Sequence, residues 1–153
     1  TAVQRAAIPL ISQGRDILLC SATASGKTEA VCAPLVERNI DRITPWKILY
    51  VTPTRALVND LYGRLADALK ELGLTVARRT GDHHDMVCER AQVILTTPES
   101  FDSLLCRGKT ELGHVLADTV AVVLDEIHLL YGSARGEQVR WLLQRLRRLK
   151  KQA

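Results

Sequence analysis

Two periodicities take turns along the chain. Leu57, Leu61, Leu65, Leu69 and Leu72 recur at spacings of three and four, as do Val139, Leu142, Leu143, Leu146 and Leu149. Each set lays one apolar stripe along an amphipathic helix. Short β-rich runs also occur, at Asp16 to Cys20, Lys47 to Thr52, Leu74 to Arg78, Gln92 to Thr96 and Thr119 to Leu124. The runs "KILYVT", "VILTT" and "VAVVLDE" are nearly continuous in Val, Ile and Leu, which suits strands buried on both faces of a parallel sheet. Strand and helix alternate, so the expected fold is an α/β three-layer sandwich with a mostly parallel central sheet and right-handed crossovers. Ligands of such a sheet bind at the carboxyl ends of its strands. No internal repeat, low-complexity segment or linker interrupts the pattern.

Composition narrows the class. At 153 residues, 46% hydrophobic and 25% charged, the chain has the balance of one soluble globular domain rather than of a disordered one. No run of about 18 apolar residues is present, so a membrane span is not expected. Thr1 to Gln13 reads as a polar-faced helix rather than a leader, which makes a cytosolic location the expectation. Cys20, Cys32, Cys88 and Cys106 stand far apart, without the paired spacing of a zinc or redox site, and read as reduced, mostly buried thiols. The net charge of +4 favours an anionic partner only slightly. Much of the positive charge lies in Arg140 to Lys151, first a solvated helix face and second a surface for nucleic acid.

The stretch "CSATASGKTEA" joins the run "DILLCS" to a helical pattern, "KTEAVCAPLVERN". A phosphate-binding loop belongs at such a strand-to-helix junction, where backbone N–H groups of Thr23, Ala24, Ser25 and Gly26 and the positive end of the helix face a polyphosphate. Lys27 would reach the β- and γ-phosphates as a point charge, and the Thr28 hydroxyl would ligate Mg²⁺. Ser21 stands where the usual pattern has its first glycine, and the plain alternative is an ordinary turn capped by Ser25. A second feature favours the phosphate reading. The apolar run "VAVVLDEIH" ends in Asp125 and Glu126, one carboxylate suited to holding Mg²⁺ and the other to orienting and deprotonating water.

These segments together resemble the first RecA-like domain of a superfamily 2 helicase of the DExH-box kind. "VQRAAIPLISQGRDILLCSATASGKT" resembles the Q motif followed by motif I, "VTPTRALVND" motif Ia, "TGDHHD" the segment preceding motif Ib, "TTPESF" motif Ib, and "LDEIHLLYGSARGEQ" motif II. The combination of "TPES", DEIH and "GSARG" looks most like the Lhr-like branch of large DExH helicases. The resemblance implies that ATP and Mg²⁺ are bound, that Gln4 reads the adenine edge, and that His128 couples the nucleotide site to nucleic acid. It also implies that Pro53, Thr54, Arg55, Gly81, Asp82, Thr97, Pro98 and Glu99 contact DNA or RNA, single-stranded and held through its backbone.

Residue chemistry offers a plainer account of some of these positions. Thr54 and Thr97 make ordinary helix N-caps, Pro98 is allowed in a first turn, and Glu99 is favoured there by the helix dipole; capping and phosphate contact are compatible. His83, His84, Asp82, Asp85 and Cys88 crowd one stretch without a metal-site spacing, and His114 reads as a surface residue. By the resemblance, residues 1–153 would form an N-terminal RecA-like domain incomplete at its C-terminus. Motif III and a second RecA-like domain of the same chain would lie elsewhere, leaving the fragment near-inactive alone. The other readings are a helicase-like module that binds without turnover, supported by Ser21 and Ala24, and a small-molecule kinase, which would leave "PTRAL" and "TTPES" without a role.

Overall fold

Four of the five apolar runs pair as strands of one sheet in the computed structural model, which describes residues 1–83, 88, 90–106 and 116–152. The chain divides into two units, Thr1–Pro45 and Trp46–Ala153.

The first unit is built on two helices. Helix α1, Ala2–Ser12, starts at a capping box in which the Thr1 hydroxyl accepts from the Gln4 amide while the Gln4 side chain accepts from Thr1. It buries Ala7 and Ile11. Helix α2, Lys27–Glu37, buries Thr28, Ala30, Cys32, Pro34, Leu35 and Val36. Just past α2, Arg38 donates from Nη1 at 2.9 Å to the Ile11 carbonyl, a last-turn acceptor of α1 that also accepts from the Gly14 amide.

The strand expected over Asp16–Cys20 is not formed: these residues carry no regular structure, and Leu18 is 76% exposed. An apolar run becomes a strand only where a neighbour completes its hydrogen-bond ladder, and no described residue does so here. The thiols also divide. Cys32 and Cys88 are buried as expected, while Cys20 and Cys106 are exposed, and all four are free.

The second unit runs β1 (Lys47–Val51), α3 (Arg55–Glu71), β2 (Val76–Arg79), β3 (Val93–Thr96), α4 (Pro98–Cys106), β4 (Thr119–Leu124), a 3₁₀ turn at Ile127–Leu129, and α5 (Ala134–Gln152). The sheet order is β2-β3-β1-β4, and every pairing is parallel. All residues of β1 and β3 are buried, including Lys47, whose Nζ donates to the Ala91 carbonyl at 3.0 Å, while β4 lies at the sheet edge and is mostly half-buried.

Register divides the side chains between the two faces. Leu49 pairs with Ile94 and Val122, and Ala77 with Ile94. Those four residues join Phe101, Leu104 and Leu105 of α4 and Leu142 and Leu146 of α5 in one apolar cluster. Ile48, Tyr50, Val93 and Leu95 alternate to the other face. Helix α3 lies against β2 and β3, and its buried stripe is Val58, Leu61, Leu65 and Leu69; it departs from the leucine pattern at both ends, with Val58 buried in place of Leu57 and Leu72 exposed just past the helix end. Strand β2 starts two residues later than expected because Thr75 is bonded otherwise: its amide donates to the Gln92 side chain, and its carbonyl accepts from the Gln92 and Val93 amides.

Candidate nucleotide and nucleic-acid sites

In the first unit the loop Ser21–Gly26 is shaped by its own polar groups. The Ser21 and Ser25 hydroxyls lie 2.6 Å apart, so the residue in the place of the first glycine closes the loop with a side-chain bond. Ser25 therefore does not cap α2; Gly26 occupies the N-cap position, at φ 86°, with no side-chain cap bond. Ala24 is also left-handed, at φ 57°, a conformation costing a non-glycine residue about 1–2 kcal/mol. Strain of this kind persists where surroundings enforce it, often at ligand-binding loops. Lys27 donates from Nζ to the Ser21 and Ala22 carbonyls, each at 2.9 Å, and so holds its ammonium on the loop that a phosphate would enter. Gln4 Nε2 lies 3.5 Å from the Gly26 carbonyl. Thr28 is buried one residue into α2, and Thr23 is exposed.

In the second unit β4 delivers the acidic pair. The Asp125 amide donates to the Val51 carbonyl and extends the pairing of β1 with β4 by one residue. Its carboxylate is fixed on both oxygens: Oδ1 accepts from the Glu126 amide at 2.9 Å, and Oδ2 from the Tyr50 hydroxyl at 3.3 Å. Tyr50 was not legible as a site residue, since an aromatic in a buried strand reads as core. Glu126 takes a left-handed φ of 48° and starts the 3₁₀ turn. That turn brings His128 Nδ1 within 3.3 Å of Glu126 Oε2, pairing two residues marked by the sequence. An aspartate oxygen is a hard donor of the kind Mg²⁺ takes alongside substrate phosphates.

The same unit holds a pocket of about 530 Å³ at the carboxyl ends of β1, β2 and β3. Its walls include Pro53, Thr54 and Arg55 at the start of α3, Thr97, Glu99, Ser100 and Ser103 around the start of α4, and Gly81. The sequence-expected residues thus converge, with two exceptions: Pro98 is buried as the first residue of α4, and Asp82 acts through Arg55, whose Nη1 it accepts at 2.6 Å. Thr54 caps α3, accepting from the Leu57 amide at 3.3 Å, so capping and presentation to the pocket coexist at one residue. Thr97 lies 3.4 Å from the Ser100 hydroxyl.

Five pocket residues escaped the sequence reading: Arg79, Thr80, Ser100, Ser103 and Arg135. Arg135, between Ala134 and Gly136 in "GSARG", ties two motifs together. It donates from Nη2 to the Pro53 carbonyl at 2.5 Å and from Nε to Glu99 Oε1 at 2.7 Å. Burial acts most strongly on the Glu99 carboxyl and raises its pKa. Hydrogen bonds from Arg135, its own amide and Thr97, with attraction to Arg135, outweigh that and leave it below the ordinary value. A depressed acid favours folding above its unfolded pKa and loses that contribution as pH falls through the folded one, so the Arg135 tie holds throughout the neutral range.

Elsewhere the sequence readings separate. Asp82, His83 and Cys88 join no metal-holding cluster among the described residues, and His84, Asp85 and His114 lie outside those residues. Part of the positive charge on α5 is committed: Arg140 pairs with Glu137 at 2.9 Å and Arg145 with Asp102 at 2.8 Å. No described helix is long and apolar enough to cross a membrane.

Comparison with known proteins places this arrangement. The sequence model of the DEAD/DEAH box helicase family matches residues 1–153. The ATP-dependent helicase Lhr-Core of Sulfolobus acidocaldarius is 33% identical over 94% of this chain and 18% of its own length. The ATP-dependent DNA helicase Hel308 of Thermoplasma acidophilum is 33% identical over 87% of this chain and 19% of its own. The chain therefore spans about a fifth of these relatives. Among solved structures, Mycobacterium smegmatis helicase Lhr, bound to ssDNA and AMP-PNP, superposes with a TM-score of 0.84 at 29% identity, covering 97% of this chain and 21% of that one. A hypothetical ATP-dependent RNA helicase from Sulfolobus tokodaii gives 0.77 at 27% identity, covering 95% and 42%. The fold is RecA-like, and the similarity to Lhr proteins agrees with the branch that the motifs resemble.

Proposed function

Because the chain belongs to the DEAD/DEAH box helicase family, we propose that it is the ATP-binding part of an ATP-dependent helicase and that its second unit holds a single nucleic-acid strand by the backbone. The observation that carries this reading is the pocket at the carboxyl ends of β1, β2 and β3. Two helix starts, several hydroxyls and three arginines, Arg55, Arg79 and Arg135, line it together. N-terminal helix amides, hydroxyls and guanidinium groups are the groups that bind phosphate oxygens, and they carry no base preference. Grip without sequence reading is what a translocating motor requires.

For the nucleotide, the reading assigns roles by chemistry. Lys27 and the loop amides of Thr23 to Gly26 bind phosphates, and the Gln4 carboxamide reads the adenine edge. Thr28 and Asp125 are the oxygen donors for Mg²⁺, whose contribution when bound is to neutralise charge on the phosphates. Tyr50 holds the Asp125 carboxylate in its orientation. Glu126 serves as the base for water, and its contact with His128 supplies a route for coupling to nucleic acid. Turnover is assigned to a longer protein with a second RecA-like domain supplying the remaining charge stabilisation; the isolated chain is proposed to hydrolyse ATP slowly.

The test is fluorescence anisotropy of labelled (dT)12, (dA)12 and (rU)12 across a salt series. The three probes are expected to bind within a few-fold of one another. The logarithm of affinity should fall with the logarithm of salt at a slope of about −2, as for roughly three neutralised phosphates on a single strand. Affinity confined to one base composition, or insensitive to salt, would contradict backbone binding.

A further inference from the structure

Arg79 ends β2, lines the pocket and is only 7% exposed. Its Nη2 is buried and has no hydrogen-bond partner, and no ion pair reaches its guanidinium among the described residues. The two other pocket arginines differ: Arg55 is paired with Asp82, and Arg135 with Glu99. Around Arg79 the backbone is fixed, since its carbonyl accepts from the Thr96 hydroxyl at 2.7 Å and its Cα is in register with Thr96. A buried guanidinium on rigid backbone, with an unused donor, is prepared for an anion that the protein itself does not supply.

We infer that Arg79 is the principal phosphate ligand of the pocket, binding a backbone phosphate of the single strand directly, while Arg55 and Arg135 shape the rim. This rests on the nucleic-acid reading above and adds to it the residue that bears the charge contact. Nothing in the sequence marked Arg79, because the basic pair Arg78–Arg79 reads as solvated; in the fold Arg78 is half-buried away from the pocket lining, stacked 4.1 Å above the Tyr62 ring and donating to Asn59 Oδ1.

The experiment compares the chain with Arg79→Met and Arg79→Lys, using labelled (dT)12 over a salt series with thermal melts alongside. Methionine keeps the apolar stem and removes the donor. Its variant is expected to bind about 10-fold more weakly, with a salt slope shallower by about 0.7, the loss of one phosphate contact on a single strand. Its Tm should be unchanged or raised, since an unpartnered buried charge has been removed. Lysine is expected to restore the slope with only part of the affinity, as a point charge replaces a planar fork. Parent affinity and slope in Arg79→Met, or a fall in Tm with the slope unchanged, would overturn the inference and leave Arg79 a structural residue. If Arg79→Met does not fold, Arg79→Lys decides: affinity reduced by about 3-fold or more supports ligation through the fork, and parent affinity overturns it. A parent chain that shows no salt-dependent binding would overturn the nucleic-acid reading and this inference with it, whereas parent binding unmoved by either variant removes the inference alone.

Discussion

Lys27→Ala is expected to lower affinity for a fluorescent ATP analogue with Mg²⁺ by roughly 10- to 100-fold, as when one charge-assisted hydrogen bond to a phosphate is lost. The prediction tests a loop with an irregular sequence. In the present geometry the ammonium is bonded to the Ser21 and Ala22 carbonyls, so a phosphate need not draw it in from solvent; it exchanges two neutral acceptors for an anionic one. The hydroxyl pair Ser21–Ser25 keeps the loop closed without its usual first glycine. Since both Lys27 bonds are exposed, thermal stability should change little, which separates loss of the ligand contact from loss of fold. Equal binding by the two proteins, both folded, would show that the loop is not a phosphate site.

Gly136→Ala is expected to destabilise the chain by roughly 3 kcal/mol, lowering Tm by about 10 °C. The cause is space rather than backbone freedom. Gly136 sits in the first turn of α5, and a Cβ there would overlap the carbonyl oxygen of Leu130. The neighbouring bonds leave little room for adjustment: the Ser133 hydroxyl donates to the Leu130 carbonyl at 2.7 Å and accepts from the Gly136 amide at 3.2 Å. Relief requires the start of α5 to move away from the turn after Glu126, and Arg135 moves with it. Oligonucleotide affinity should therefore fall even under conditions where the variant remains folded. A melt indistinguishable from the parent would contradict the close approach.

The reach of sequence reasoning follows from what each residue type reveals alone. The run Thr119–Leu124 was legible to the residue because an unbroken apolar strand ending in two acids has one reasonable reading. Asp16–Cys20 has equally apolar composition, yet a strand is a relation between two segments, and composition does not name the partner. The site divides likewise. Thr54, Arg55, Thr97 and Glu99 follow strand-end signals and do converge on one pocket. Arg79 and Arg135 were missed because charged residues are ordinarily assigned to the open surface, and only the register of β2 against β3 and the docking of α5 bring them to the pocket. Tyr50 was missed for the converse reason, as a core aromatic whose hydroxyl reaches Asp125.

The central claim, that the second unit grips a strand through this pocket, is tested most directly by titrating ¹⁵N-labelled chain with (dT)8 and following its amide resonances. The account predicts that shifts concentrate at residues 53–57, 79–82 and 97–101, the helix starts and strand end that surround the pocket, with little change along Arg140 to Lys151. Shifts gathered on that basic helix, with the pocket amides unmoved, would contradict it.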